Sequence, residues 1–165
     1  MGTCSSMPVL YAAVGRRLGY PLKLVTTKAH LFLRWDDGKE RFNLEATGRG
    51  MNRYDDEHFK QWPFPVSDEE IRVEGYLKSL TAAEELAVFL SLRANCLKEA
   101  GKIQEAADCY AYAARLAPAS RSYALLQADI LQSRPHVQHP AQSGVPVANQ
   151  AYVPEPNPLN SINSR

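Results

Sequence analysis

The sequence predicts an α+β fold in which a short helix packs on a small antiparallel sheet and a helical segment follows. Three observations carry this prediction. Apolar residues recur at helical spacing after residue 6, two apolar stretches flank an Asp-Gly turn at Asp37-Gly38, and two helix-start signatures follow residue 66. We expect three parts along the chain: a core over residues 1–66, a helical segment over 67–134 and a tail over 135–165.

The composition bounds the classes of function. The chain has 165 residues, 45% hydrophobic and 22% charged, which is typical of a globular protein. A net charge of +1 argues against nucleic acid or an anionic membrane as the main partner. The sequence contains no apolar run of ~20 residues, the length that predicts a membrane span. Three cysteines are too few for a disulfide framework. We therefore expect a cytoplasmic protein, and no cofactor or metal is implied.

The first helix is predicted from an apolar stripe of Met7, Leu10, Tyr11, Val14 and Leu18. Gly19 followed by Pro21 is a stop signal. The next residues, 22–27, are typical of a short strand.

Asp37-Gly38 predicts a hairpin with a two-residue loop, which fixes the pairing of its strands. One face is then largely apolar and carries three pairs: Trp35 with Glu40, Leu33 with Phe42, and Leu31 with Leu44. The other face also carries three pairs: Phe32 with Asn43, Arg34 with Arg41, and His30 with Glu45. Because alternate side chains share a face, His30 and Glu45 are predicted to be direct cross-strand neighbours.

The His30–Glu45 pair has two interpretations. It is either a surface cross-strand pair or a general base held by a carboxylate, which then requires a nucleophile. The candidate nucleophile is Cys4, which lies among small residues at the start of the first helix. The positive end of a helix favours a thiolate, and free backbone N–H groups there can bind an oxyanion. The alternative is that Cys4 is an ordinary small residue near a chain terminus.

Residues 2–47 resemble the transglutaminase-like superfamily, which has a papain-type core. The resemblance lies in the segments GTCSSMPVLYAAVGRRLGYPLKLV, KAHLFLRW and RFNLEATG. It implies that Cys4 is the nucleophile, His30 the base and Glu45 the acid, followed by the matching Thr47. The usual acid of that family is Asp, so Glu45 is a conservative departure and Asn43 is the reserve candidate for orienting the imidazole.

Members of that family normally have helices before the nucleophile, whereas three residues precede Cys4 in this sequence. Two interpretations are open: the chain is a truncated product of a longer gene, or the later helices complete the core. The segment Asn52–Trp62 predicts a short helix, on which His58 is a surface residue.

The helical segment begins at Ser67 with Glu70 three residues later, and a second start has Thr81 with Glu84. Gly101 separates the helix that starts at Thr81 from a further helix over residues 103–117, and the pair resembles a tetratricopeptide hairpin. That resemblance is carried by small and bulky residues at the expected positions: Ala94, Leu97, Ala106, Tyr110, Ala113 and Pro118. We interpret Cys96 and Cys109 as small packing residues.

The tail holds six of the eleven prolines and almost no charged or aromatic residues, which predicts disorder. Its histidines, His136 and His139, are interpreted as solvated rather than metal-bound.

Two functions remain open from the sequence. The first is a transglutaminase-like cysteine hydrolase or acyltransferase, acting on an amide bond of a protein or peptide substrate through Cys4, His30 and Glu45. The second is a non-catalytic interaction module, in which the tetratricopeptide-like helices bind a protein partner and the core is truncated or inactive. A variant of the second is a fragment that becomes active only beside a partner chain.

Overall fold

A computed structural model describes residues 3–47 and 51–133 and confirms the α+β class. The described part contains one four-stranded antiparallel sheet, in the order β1-β2-β3-β4, and six helices. The elements in chain order are α1 (Met7–Arg17), β1 (Leu22–Thr27), β2 (His30–Asp36), β3 (Arg41–Glu45), β4 (Asn52–Tyr54), α2 (Asp56–Gln61), α3 (Asp68–Glu74), α4 (Ala82–Glu99), α5 (Ile103–Leu116) and α6 (Ser122–Gln132). The tail predicted to be disordered, with its two histidines, lies outside the described residues.

The predicted register of the β2–β3 hairpin is wrong by two residues. The structure pairs Leu33 with Leu44 and Arg34 with Asn43, so four residues rather than two form the loop. The side chain of Asp37 accepts hydrogen bonds from the backbone N–H groups of Lys39 (2.8 Å) and Glu40 (2.7 Å), which stabilises this longer turn. Because the shift is even, every residue keeps its predicted face.

Most of the apolar stripe from which α1 was predicted does not pack on the sheet. Leu10, Tyr11, Val14 and Leu18 are exposed, whereas the helix faces the sheet through small residues and its first turn. The reason is a close approach to β1: a Cβ atom on Gly15 would lie 2.4 Å from Cδ1 of Leu22. Residues with small side chains permit this distance, so the bulky stripe points away from the sheet.

The segment predicted as one helix, Asn52–Trp62, divides into a strand and a helix. Residues Asn52–Tyr54 form the edge strand β4, and α2 begins only after Asp55. The Asp55 carboxylate accepts a hydrogen bond from the backbone N–H of His58 (2.8 Å), which makes Asp55 the N-cap. The helix therefore starts later than its apolar pattern indicated, and Phe59 is its buried residue.

The predicted helix starts at Ser67 and Thr81 are confirmed as complete capping boxes. Helix α4 ends in a Schellman motif in which Gly101 has φ +74° and the Lys102 N–H donates to the Leu97 carbonyl. The predicted packing residues are buried between α4, α5 and α6: Ala94, Leu97, Ala106 and Tyr110. The tetratricopeptide assignment itself stays a prediction.

The two remaining cysteines differ from each other. Cys109 is partly buried and packs against the α4–α5–α6 core, as predicted. Cys96 is exposed on α4, so its interpretation as a packing residue is wrong.

The helical segment is joined to the sheet by backbone hydrogen bonds. The N–H groups of Leu77 and Leu80 donate to the carbonyls of Thr26 and Leu24, each at 2.9 Å. Residues 1–134 form one compact unit. The boundary near residue 66 stays a prediction about chain organisation. No helix in the described ranges is long and apolar enough to cross a membrane.

Candidate active site

The first feature of the site is a buried histidine–carboxylate pair, with His30 at the start of β2. His30 Nε2 lies 2.6 Å from Glu45 Oε2, and the exposed fractions of these residues are 7% and 6%. The interpretation as a surface pair is therefore wrong. The two residues are diagonal rather than direct cross-strand neighbours, because of the register shift. The longer side chain of glutamate spans that offset.

Thr47 holds the other oxygen of the same carboxylate. Glu45 Oε1 accepts hydrogen bonds from the Thr47 backbone N–H (2.7 Å) and from the Thr47 hydroxyl. Burial by itself would raise the pKa of Glu45, but the hydrogen bonds from Thr47 and His30 outweigh it and lower the pKa below its ordinary value. The carboxylate is thus ionised at neutral pH and accepts a proton-bearing Nε2. His30 Nδ1 has no hydrogen-bond partner in the described chain.

Aromatic rings fix the plane of the imidazole. The ring of His30 stacks near Phe59 and Phe32, with centroid distances of 6.2 and 6.4 Å. Trp62 meets the same ring edge-on at 4.6 Å. Because Phe59 and Trp62 belong to α2 and its end, that helix covers the His30–Glu45 pair on its own side of the sheet.

Cys4 lies in the turn that precedes α1. The Thr3 carbonyl accepts hydrogen bonds from the N–H groups of Ser6 (3.1 Å) and Met7 (3.0 Å), and the Ser6 hydroxyl accepts one from the N–H of Thr3 (2.9 Å). In the described part of the chain, the N–H groups of Cys4 and Ser5 have no acceptor. The half-buried Cys4 thus lies beside two unpaired donors at the positive end of a helix.

A cleft of about 470 Å³ brings Cys4 and His30 together. The cleft is lined by the end of the β1–β2 hairpin, including Thr26 and Leu31, and by residues of α4 and α6. No hydrogen bond joins the Cys4 thiol to His30 in this structure, so the two groups share a cleft without touching. Catalytic hydrogen bonds are often long in ligand-free structures and tighten when substrate binds.

Of the three residues predicted for the site, Cys4 and His30 thus line one cleft, and Glu45 is the partner of His30. Asn43, the reserve candidate, has a different role: its Oδ1 accepts a hydrogen bond from Arg34 Nε (2.7 Å) and it does not contact the imidazole. A second cleft, about 340 Å³ beside β3 and β4, contains neither Cys4 nor His30.

Sequence reasoning missed several residues around the site. Trp62 contacts the imidazole edge-on, and the lining of the cleft includes Glu74, Asn95 and Tyr123 from three different helices. No local signal marks these positions, because each depends on how the helical segment packs against the sheet.

The hydrogen bonds that Glu45 accepts predict a pH dependence of the free energy of unfolding. The pKa of Glu45 is lower in the folded protein than its ordinary value of 4.5, so the folded state binds fewer protons. The stabilisation is present above pH 4.5 and is lost as the pH falls through the lowered folded pKa. We expect the free energy of unfolding of wild type to fall more steeply below pH 4.5 than that of Glu45→Gln, measured by urea denaturation from pH 7 to pH 3.

The control for this measurement is Glu40→Gln, which removes the same charge from the exposed β2–β3 turn. Its pH profile should follow that of wild type. Parallel profiles for wild type and Glu45→Gln would contradict a role for the carboxylate in the fold.

Comparison with protein-family models, with curated proteins and with solved structures finds no match. Within residues 3–47 and 51–133, no group of three or more His, Cys, Asp or Glu side chains is placed to hold a metal ion. What the site does is therefore inferred from Cys4, His30 and Glu45 and from the cleft around them.

Proposed function

We propose that this protein is a cysteine hydrolase or acyltransferase that attacks an amide or peptide bond through Cys4, His30 and Glu45. The observation that carries the proposal is the buried His30–Glu45 pair, in which His30 lines the same cleft as Cys4. The resemblance of residues 2–47 to the transglutaminase-like superfamily supports the same chemistry. A cytoplasmic location, which keeps thiols reduced, is part of the proposal.

The proposed reaction begins with proton transfer from the Cys4 thiol to His30 Nδ1, the ring nitrogen that faces away from Glu45. The thiolate then attacks the substrate carbonyl carbon. The N–H groups of Cys4 and Ser5 are the candidate donors to the oxyanion, because they have no acceptor in the described chain. His30 returns its proton to the leaving amine, and a thioester remains on Cys4.

Glu45 has the role of a positioning residue in this scheme. It holds Nε2–H of His30 and stabilises the imidazolium that forms when the thiol is deprotonated. Thr47 fixes the carboxylate in turn. The thioester is then released by water or by an amine, so the proposal covers both hydrolysis and acyl transfer to a protein or peptide.

The test compares three thiols in one chain by alkylation with iodoacetamide from pH 5 to pH 9, read by peptide mass spectrometry. Cys96 is exposed whereas Cys4 and Cys109 are half-buried, so accessibility alone predicts that Cys96 reacts first. An activated site predicts the opposite order, with Cys4 at least about tenfold faster than Cys96 at pH 6, where ordinary thiols are mostly protonated.

The matched variant is His30→Ala, in which Cys4 should react no faster than Cys96. His58→Ala serves as the control, because His58 is the other histidine in the described chain and does not line the cleft. If Cys4 reacts more slowly than Cys96 in wild type and His30→Ala changes nothing, the catalytic proposal is wrong. The helical segment is then the part of the chain to test for partner binding.

A further inference from the structure

The cleft beside Cys4 has an uneven distribution of charge. Among the residues that the structure describes, the titratable lining residues of the cleft are Cys4, His30, two tyrosines and Glu74, and none is Lys or Arg. Most of the remaining lining consists of small polar and apolar side chains. A cleft of this composition attracts a positively charged ligand, because its walls offer one carboxylate and no compensating cation.

Glu74 lies at the end of α3, and within the described residues only one of its two carboxylate oxygens accepts hydrogen bonds. Its Oε2 accepts hydrogen bonds from the Ser120 hydroxyl (2.7 Å) and from the backbone N–H of Ser122 (3.3 Å). Oε1 has no hydrogen-bond partner, and Glu74 forms no ion pair, within the described residues. The nearby ammonium of Lys78 is paired with Glu84 at 2.6 Å. The carboxylate is therefore held rigidly while its charge stays uncompensated.

Two tyrosines flank this carboxylate. Tyr76 and Tyr123 line the same cleft, and Glu74 contributes to the electrostatic environment of each. Burial, with smaller contributions from Tyr76 and Glu74, raises the pKa of Tyr123 to about 12, so its ring stays neutral at physiological pH. A carboxylate beside neutral aromatic rings is an arrangement that binds organic cations, through charge and cation–π contacts.

We propose that Glu74, Tyr76 and Tyr123 form a subsite that binds a positively charged group of the substrate, an alkylammonium or a guanidinium. The inference rests on the proposed function, since the substrate is the molecule that Cys4 attacks. The volume of the cleft, about 470 Å³, is large enough for a lysine or arginine side chain together with the bond attacked by Cys4. Glu74 is thus a specificity-determining residue and takes no part in the chemical step.

The first test measures the charge preference of Cys4 with two methanethiosulfonate reagents. The thiolate attacks the reagent sulfur, methanesulfinate leaves, and a mixed disulfide remains. We expect the rate ratio of the aminoethyl reagent to the sulfonatoethyl reagent to be about fivefold or more higher at Cys4 than at Cys96 at low ionic strength. Glu74→Gln should lower the ratio at Cys4 to that at Cys96.

Two variants separate charge from structure in this test. Glu40→Gln removes an equal charge at the other end of the β2–β3 hairpin and should leave the ratio unchanged. Ser120→Ala removes the hydroxyl donor to Glu74 but keeps the carboxylate, so it should retain the preference. A ratio in Glu74→Gln equal to that of wild type would overturn the proposed subsite.

The second test identifies the source of the cation through protection of Cys4 against iodoacetamide. N-acetyl-lysine methylamide should protect Cys4, whereas N-acetyl-norleucine methylamide, whose n-butyl side chain lacks the ammonium, should not, and Glu74→Gln should abolish the difference. Free n-butylamine is the third ligand: protection by it alone assigns the subsite to a free amine, and protection by the lysine derivative alone assigns it to a side chain of the substrate. Equal protection by the lysine and norleucine derivatives would overturn the proposal.

Failure of this inference is distinguishable from failure of the proposed function. The charge preference requires only that Cys4 reacts at a measurable rate, whereas the catalytic proposal requires that its rate with neutral iodoacetamide depends on His30. A His30-dependent rate with an unchanged preference in Glu74→Gln overturns the subsite alone. A Glu74-dependent preference with no effect of His30→Ala overturns the catalytic proposal and leaves cation binding in place.

Discussion

Replacing Glu45 by glutamine is expected to slow acylation of Cys4 by on the order of 10⁴-fold, the effect of the corresponding Asp→Asn change in a Ser-His-Asp hydrolase. The glutamine oxygen can still accept the Nε2–H hydrogen bond that Glu45 accepts at 2.6 Å. It provides no negative charge, however, for the imidazolium that forms when the thiol is deprotonated. The buried pair, less than a tenth exposed, has little water to replace that charge.

The measurement uses p-nitrophenyl acetate at pH 7, with release of p-nitrophenolate followed by stopped flow. Peptide mass spectrometry locates the acetyl group, and Cys4→Ala gives the background rate. Glu40→Gln is again the control for loss of one carboxylate far from the site. A Glu45→Gln rate within twofold of wild type would contradict the role given to Glu45.

Thr47→Val refines the same prediction. The variant removes the hydroxyl donor to Glu45 Oε1 but keeps the backbone N–H donor and the negative charge. A single hydrogen bond to a charged group contributes about 1.5 kcal/mol, so we expect a reduction of about tenfold. An effect as large as that of Glu45→Gln would mean that Thr47 does more than hold the carboxylate.

The His30–Glu45 pair was predictable although the register was not. An Asp-Gly turn between apolar strands correctly placed both residues on one face. The hydrogen bonds of Asp37 then lengthened the loop from two residues to four. A shift by two residues leaves each side chain on its predicted face of the sheet, so His30 and Glu45 still share a face. A shift by one residue would have placed them on opposite faces.

The orientation of α1 and the walls of the cleft were not predictable, for a common reason. Which face of α1 meets the sheet depends on the close approach of Gly15 to Leu22, and the presence of Glu74 in the cleft that contains Cys4 depends on the packing of α3 and α6. Both are contacts between segments distant along the chain. Helical periodicity reports only that one face is apolar, and in α1 that face is the exposed one.

Asp56→Ala is expected to destabilise the fold by about 3 kcal/mol, the lower end of the range for removing one partner of a buried ion pair. The guanidinium of Arg34 is fully buried and lies 2.5 Å from the Asp56 carboxylate. Burial lowers the pKa of Arg34, and the charge of Asp56 is the largest contribution that opposes this effect. The Asp56 side chain is 35% exposed, so water can enter after truncation and limit the loss.

Truncation of Asp56 removes some hydrogen bonds around Arg34 and leaves others. Arg34 keeps its hydrogen bonds to Asn43 Oδ1 (2.7 Å) and to the Leu77 carbonyl (2.9 Å). Asn43 Nδ2 (2.8 Å) and Arg41 Nη2 (3.2 Å) lose the acceptor oxygens that Asp56 provides. Asp56→Asn retains an acceptor and should cost about half as much. Asp55→Ala removes only the N-cap of α2, for which about 1 kcal/mol is expected.

Urea denaturation at pH 7 gives the three free energies of unfolding, and the expected order of destabilisation is Asp56→Ala, Asp56→Asn, Asp55→Ala. Asp56 anchors the first turn of α2, which carries Phe59 against the ring of His30. Loosening that turn should therefore also lower the alkylation rate of Cys4 under conditions in which the variant is still folded. If the free energy of unfolding of Asp56→Ala lies within 1 kcal/mol of the wild-type value, the buried guanidinium does not depend on Asp56. In that case α2 is held by its apolar contacts alone.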